Sequence, residues 1–349
     1  MTRRKVILHI GTMKTGSTAI QNVFDKLRPA ILLQGSFYPR SPGGQAHELL
    51  TYAAAGGTRG PRPGEPFWRG QDSQARLANF RNEFRAEMAA IPDRVDQIII
   101  SDERFSFYLR TREHIAALRD MVAPFADSFE VVAYLRCQDS LLASRYSEML
   151  RVGEVGEPDH LRENAERLQD YDYRWLLDNW ASVFGQDAVK PRIYERGAGK
   201  SFDSVADFMA VCGLDLQDAI AGLTVQSNPS MNAAGQDVLR EVGRQLQVKL
   251  NAQSVGGPLW RRISDTVTAV LPGKGWLPTR AEAAKYMAQF EAGNEAVRQR
   301  YFPERDTLFA DESGDFPISP VPTSDHDRFD AACAALLAVA ERSLLKEPR

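Results

Sequence analysis

Cysteine is scarce in this chain. Three residues in 349, Cys137, Cys212 and Cys333, are odd in number and widely scattered, which excludes a disulfide framework and a clustered zinc site. Five histidines complete the soft-donor inventory. They form no ligand cluster with the cysteines, and no metal is expected. Long hydrophobic runs are missing too, with no stretch near the roughly 20 apolar residues that a membrane-spanning helix needs. The apolar run after Arg3-Arg4-Lys5 is broken by His9 and is too short for the core of a secretion signal. A cytoplasmic location in a reducing compartment is therefore expected. Nor is there an excess of one charge. With 43 basic and 46 acidic residues the net charge is −3, which gives no pull towards nucleic acid or a membrane surface. What remains is an ordinary globular composition, 43% hydrophobic, long enough for one large domain with an extension or for two domains.

The stretch that organises the rest runs Val6-Ile7-Leu8-His9-Ile10-Gly11-Thr12-Met13-Lys14-Thr15-Gly16-Ser17-Thr18 and continues with Ile20, Val23, Phe24 and Leu27 at helical spacing. A short buried strand, a glycine-bearing loop and a helix start together make an anion cradle. The first N–H groups of a helix lack partners within the helix, and its dipole favours negative charge there. Gly11 and Gly16 let the backbone approach a ligand, Ser17 and Thr18 offer hydroxyls, and Lys14 adds a mobile cation. A nucleotide-triphosphatase loop has its lysine directly after the second glycine. Here Ser17 takes that place and the lysine stands two residues before Gly16.

Further along, Gly35 to Pro39 reads as a second strand, and Gln45 to Leu50, including His47, as the start of a helix. Residues 56–70 hold three arginines, Trp68 and many Gly and Pro, and are expected to form a loop, with a lid over an anionic or sugar-bearing acceptor as one reading. Leu77, Phe80, Phe84, Met88 and Ile91 mark an amphipathic helix over about 72–91. Gln97 to Ser101 is then a buried strand with Asp102-Glu103-Arg104 at its C-terminal end, where open parallel sheets hold ligands. Phe129 to Arg136 is another strand, followed by a helix from about Gln138 to Arg151. Val189 to Glu195 is a further strand, followed by a helix that Ser201 is placed to cap.

Arg136 ends its strand and Ser144 follows eight residues later on the next helix, so a guanidinium fork and a hydroxyl converge on a second phosphate position. The two motifs together, Lys14-Thr15-Gly16-Ser17-Thr18 after a strand and Tyr134-x-Arg136 with Ser144-x-Tyr146, resemble the 5′-phosphosulfate loop and the 3′-phosphate site of sulfotransferases. The resemblance runs with diminishing strength from Val6 to about Leu214 and is closest to the bacterial and carbohydrate-directed branches. It implies a parallel α/β sheet flanked by helices. It also implies 3′-phosphoadenosine 5′-phosphosulfate as co-substrate, held by Lys14, Thr15, Gly16, Ser17, Thr18, Arg136 and Ser144, with Tyr194 of a Tyr194-Glu195 pair near the adenine. The acceptor is expected to be a small molecule or glycan precursor. The arginine-lysine-glycine pattern that closes the cofactor site in the cytosolic small-molecule enzymes is missing, with Lys274-Gly275 and Arg280 as possible equivalents.

The domain expectation is an α/β core over 1–225 and a helical extension over 226–349, with apolar stripes Val238-Val242-Leu246-Leu250, Tyr286-Phe290-Val297-Tyr301 and Phe329-Leu336-Ala340-Leu344. Catalysis requires cations at the phosphosulfate, assigned to Lys14, and a base for the acceptor's proton. Glu103 and His47 compete for the second task. Histidine suits neutral pH without adjustment, whereas glutamate needs its affinity for protons raised. Glu103 is preferred, with Asp102 behind both. The alternatives are a kinase or nucleotidase, in which Asp102 would hold a metal, and a non-catalytic nucleotide-binding protein on the same scaffold. Oligomeric state is left open.

Overall fold

The computed structural model describes residues 4–57, 73–158, 168–195, 202–221, 223, 230–252, 254–311 and 313–344. The 56–70 loop lies outside the described residues from position 58 onward. The chain divides into two compact units. The first comprises 1–136, 172–225 and 292–309, and the second 137–171, 226–291 and 310–349.

The first unit is built on β1 (Lys5–His9), α1 (Ser17–Lys26), α2 (Arg28–Leu33), β2 (Ser36–Phe37), α3 (Glu48–Ala54), α4 (Ser73–Ala89), β3 (Gln97–Ser101), α5 (Arg104–Tyr108), α6 (Arg112–Val122) and β4 (Ser128–Leu135). The second unit begins with α7 (Gln138–Val152), after which α8 (Tyr173–Phe184), β5 (Val189–Ile193), α9 (Ser204–Val211) and α10 (Gln217–Ala221) return to the first. The second unit resumes with α11 (Ala233–Leu250), α12 (Pro258–Val270) and α13 (Arg280–Met287). Then α14 (Glu291–Tyr301) re-enters the first unit, and α15 (Asp325–Leu344) belongs to the second.

Five parallel strands form one sheet in the order β2-β3-β1-β4-β5. The protein is thus an α/β fold with a parallel central sheet flanked by helices. Val6, Ile7 and Leu8 are wholly buried and pair in register with Ile98, Ile99 and Ile100 on one side and with Phe129, Glu130 and Val131 on the other. Helices cover both faces of such a sheet, so its inner strands read as continuous apolar runs rather than alternating ones. Pro191 has no N–H to give, and it sits in β5, an edge strand. The chain leaves β1 towards β2 and β3 on one side and reaches β4 and β5 on the other. The C-terminal end of β1 is therefore the switch point at which such sheets form a ligand crevice.

The expected break near Arg28-Pro29 takes a different form. Pro29 stands in the first turn of α2, where its missing N–H costs nothing, and opens a second short helix. The expected boundary at 225/226 is one of several crossings between the units. Segment 137–171 joins the helical unit because α7 buries Leu141, Leu142, Tyr146, Met149 and Leu150 in one cluster with Leu239, Trp260 and Val267.

Two of the expected apolar stripes are rotated. In α11 the buried positions are Gly235, Gln236, Leu239 and Gly243, while Val242 and Leu250 are exposed. A Cβ on Gly243 would stand 2.3 Å from Val155 Cγ1 and 3.0 Å from the Trp260 ring, so this helix packs through a bare backbone face. In α15 Ala331 and Ala335 are buried, whereas Phe329 and Leu336 are exposed. Of the third stripe, Tyr286, Phe290 and Val297 are buried. No helix among the described residues is long and apolar enough to cross a membrane.

Candidate active site

The loop between β1 and α1 is tied to β4 on one side. Ile10 N–H donates to Val132 O (2.9 Å), Tyr134 N–H to Gly11 O (2.6 Å), and both the N–H and the hydroxyl of Thr12 donate to Tyr134 O (3.2 and 2.9 Å). The Thr15 and Ser17 hydroxyls both turn inward onto Thr12 O, at 2.6 and 3.2 Å, and both residues are buried. They hold the loop's shape, while Thr18 is exposed on the first turn of α1. The loop reverses through positive φ at Gly11 (95°), Lys14 (62°) and Gly16 (87°). Glycine is needed at its two ends. A Cβ on Gly11 would meet the Glu103 backbone at 3.1 Å, and one on Gly16 would fall 2.0 Å from Ser204 Oγ.

Gly16 is the N-cap of α1 and offers no capping side chain. Ala19 and Ile20 donate to Gly16 O, but the Ser17 and Thr18 N–H groups have no acceptor among the described residues. Open N–H donors and the helix dipole make the potential at such a helix start favourable to negative charge.

Arg136 arrives from the end of β4. Its guanidinium donates to Lys14 O at 2.9 Å and lies 5.5 Å from the centroid of the Tyr194 ring. Its backbone is clamped by Tyr173, whose hydroxyl donates to Arg136 O (2.5 Å) and accepts from Arg136 N–H (3.2 Å). Tyr194 continues β5 by donating to Leu135 O at 2.7 Å, and its ring meets Phe202 edge-on at 5.0 Å. Lys14, Gly16, Arg136 and Tyr194 are thus brought together at the C-terminal end of the sheet. Ser144 lies on α7, in the second unit.

Glu103 stands two positions after the end of β3 and its backbone packs on Gly11, beside the loop. Its carbonyl accepts from the Ser106 hydroxyl at 2.8 Å, which holds the turn into α5. His47 and Asp102 fare differently from their expected use. His47 is fully buried; its Nδ1 accepts from Ser101 N–H (3.0 Å) and its Nε2–H donates to Pro39 O (2.9 Å). Burial pushes its pKa down to about 3. With both ring nitrogens engaged, His47 pins the chain after β2 to the end of β3, and the candidacy as base is corrected to a structural part. Asp102 is also buried, accepting from Thr51 Oγ1 (2.5 Å), Arg104 N–H (3.1 Å) and the Arg104 guanidinium (3.1 Å), which also reaches Glu48 at 3.2 Å. Burial raises the Asp102 pKa. The carboxylate that a kinase reading needs for a metal is consumed in this knot.

Several neighbours of the site are absent from any short motif. Asp203 caps α9, accepting from Val205 and Ala206 N–H at 3.1 and 3.0 Å, and this sets Ser204 against Gly16; Ser201, the expected cap, lies outside the described residues. Asp207, one turn on, accepts from the Tyr134 hydroxyl (2.7 Å) and from both arms of Arg192 (2.5 and 2.6 Å). Glu195 is held by both its oxygens on Arg305, at 2.7 and 2.8 Å, a partner 110 residues away. The Arg305 contact follows only from the return of α14 to the first unit. Of the possible C-terminal cofactor contacts, Arg280 donates to Phe316 O and Gly314 O (3.0 and 3.1 Å), and Lys274 and Gly275 line a cavity in the second unit. Among the described residues no group of three or more His, Cys, Asp or Glu side chains is placed to hold a metal ion.

No family model matches the chain. A protein of Archaeoglobus fulgidus named only as uncharacterized is 23% identical over 186 residues, 52% of this chain and 48% of its own, so the chain spans about half the length of that relative. Among solved structures, a sulfotransferase from Alicyclobacillus acidocaldarius is similar at a TM-score of 0.40 and 13% identity, with 87% of this chain and 99% of that one covered.

Proposed function

We propose that this protein is a sulfotransferase, moving a sulfuryl group from 3′-phosphoadenosine 5′-phosphosulfate to a hydroxyl or amine of a small-molecule or glycan acceptor. The observation that carries the reading is the meeting of Arg136 with the loop: its guanidinium bonds Lys14 O beside the open N–H groups of Ser17 and Thr18. That donor set suits a ligand with anionic groups at two places, and the loop has no room for side chains at Gly11 and Gly16. The 5′-phosphosulfate is assigned to Lys14 and the Gly16–Thr18 backbone. The 3′-phosphate goes to Arg136, with Ser144 as its hydroxyl partner by the motif's spacing, and the adenine to Tyr194.

In the reaction the acceptor oxygen bonds to sulfur while the bond from sulfur to the bridging phosphate oxygen breaks, releasing adenosine 3′,5′-bisphosphate. Lys14 and the α1 N–H groups stabilise the charge that grows on the bridging oxygen. The acceptor's proton passes to the Glu103 carboxylate, which the packing of its backbone on Gly11 keeps beside the loop.

Equilibrium binding of adenosine 3′,5′-bisphosphate without magnesium tests the reading. Binding should be tight, and Arg136→Ala should weaken it at least about tenfold, since a fork and a charge are lost. Adenosine 5′-monophosphate should scarcely distinguish the two proteins. Preference for ATP with magnesium, or equal affinity of both proteins for the bisphosphate, would overturn it.

A further inference from the structure

The second unit holds a cavity of about 570 Å³ that the proposed reaction does not use. Its size suits a small organic ligand. One wall is Tyr146 of α7. Tyr146 stands two positions after Ser144, a rotation of about 200° around the helix, so the cavity lies off the face that carries the candidate phosphate-binding hydroxyl.

The lining combines apolar surface with open donors. Trp276 sets its ring edge-on to Tyr146 at 5.5 Å, and its backbone N–H is fixed by Gln236 Oε1 at 2.7 Å. Leu277, Pro317 and Val321 extend the apolar surface. Gln236 is 2% exposed, and with its oxygen used its amide nitrogen has no partner among the described residues. Gly275 is bare because a Cβ there would stand 2.2 Å from that nitrogen. An amide whose N–H donors are open on a cavity wall suits a ligand that brings an acceptor.

The charges point the same way. Arg240 is held by the Tyr146 hydroxyl (3.2 Å), Asp237 (2.9 Å) and Glu157 (2.8 Å), and Arg328 by Thr323 O (2.9 Å) and Asp325 (3.4 Å). Lys274 has no side-chain partner among the described residues. Of the three cations that line the cavity, Arg240 and Arg328 are thus paired with carboxylates, which leaves Lys274 as the charge open to a ligand. We infer that this cavity binds an organic anion: a flat apolar ring system against Trp276, with a carboxylate, sulfonate or similar group received by Lys274 and the Gln236 amide. The inference does not rest on the sulfuryl-transfer reading.

Two fluorescent probes with the same aromatic body test it on the whole protein: 8-anilinonaphthalene-1-sulfonate, and its uncharged parent N-phenyl-1-naphthylamine. The sulfonate should bind at one saturable site at least about tenfold more tightly than the parent. Lys274→Ala should abolish that preference and leave parent binding unchanged, whereas Trp276→Leu should weaken both probes. Lys249→Ala makes the same charge change on exposed α11 of the same unit and should leave the preference intact. Circular dichroism and thermal unfolding identify any variant that has lost its fold, in which case Lys274→Gln and Trp276→Phe replace it. Equal affinity for the two probes would overturn the inference. So would a preference that survives loss of Lys274, or one that Lys249→Ala lowers as much.

Discussion

Ser204 occupies the space into which a side chain on Gly16 would grow: its hydroxyl oxygen lies 2.0 Å, and its Cβ 2.8 Å, from the position of such a side chain's first carbon. Two helix starts, α1 and α9, therefore meet at one glycine, and the loop after β1 is closed by a residue 188 positions further along the chain.

Gly16→Ala should accordingly fail for two separable reasons. A Cβ at φ 87° costs roughly 1–2 kcal/mol by itself, and the clash with Ser204 pushes α9 from the loop. Binding of adenosine 3′,5′-bisphosphate should fall at least a hundredfold, and thermal unfolding should come earlier. Adding Ser204→Gly removes the clash and should restore part of the binding, but not the part due to backbone strain. If the double variant bound no better than Gly16→Ala, the contact with Ser204 would not be what constrains the loop.

Much of this arrangement was legible in the sequence. The apolar runs at Val6–Leu8 and Ile98–Ile100 marked the sheet, and Arg136 was placed at a strand end, because strand type is a local property. What was not legible depends on long-range return of the chain. His47 looks like an exposed base on a helix start until β2 and β3 close around it, and only then do Ser101 N–H and Pro39 O claim its two nitrogens. The buried face of α11 was misplaced because the pattern weighs large apolar residues, whereas the helix packs through Gly235 and Gly243.

Glu103 and His47 are separated by what their loss disturbs. Glu103→Gln preserves shape and removes basicity, so sulfuryl transfer should fall by roughly two to four orders of magnitude with nucleotide affinity and unfolding temperature almost unchanged. His47→Asn loses at least one of two buried hydrogen bonds, about 1–3 kcal/mol. It should lower the unfolding temperature, with turnover of the folded fraction within a few-fold of wild type. The opposite pattern, an active Glu103→Gln and a stable but inactive His47→Asn, would return the proton to the histidine.

Asp207 should act as a positioning residue for the loop. It fixes the Tyr134 hydroxyl, and the Tyr134 carbonyl in turn receives both donors of Thr12. Asp207→Asn leaves one oxygen to accept but breaks the doubled contact with Arg192. The expected result is weaker nucleotide binding, by about three- to tenfold, with the pH profile of turnover unmoved. A variant with wild-type affinity would confine Asp207 to holding β5 against α9.

The last prediction concerns stability against pH. Burial holds both His9 and His47 at pKa values of about 3, against 6.5 for the free side chain. Between these limits the unfolded chain takes up protons that the folded protein does not, so the unfolded state gains as pH falls. Each histidine should therefore contribute stability that is fully present above pH 6.5 and is lost towards pH 3, by as much as about 1.4 kcal/mol per pH unit. Asp102 works in the opposite sense, because burial raises its carboxyl and protonation favours the fold just above its ordinary value of 3.8. Comparison by difference removes that contribution: chemical denaturation of wild type and His47→Asn from pH 7.5 to 4.5 should give curves that converge as pH falls, since the variant has no proton to take up at this position. His9→Asn, which retains a partner for the Ser101 hydroxyl, should converge in the same way. Curves that stay parallel over the whole range would mean that these two rings are reached by water and protonated in the folded protein.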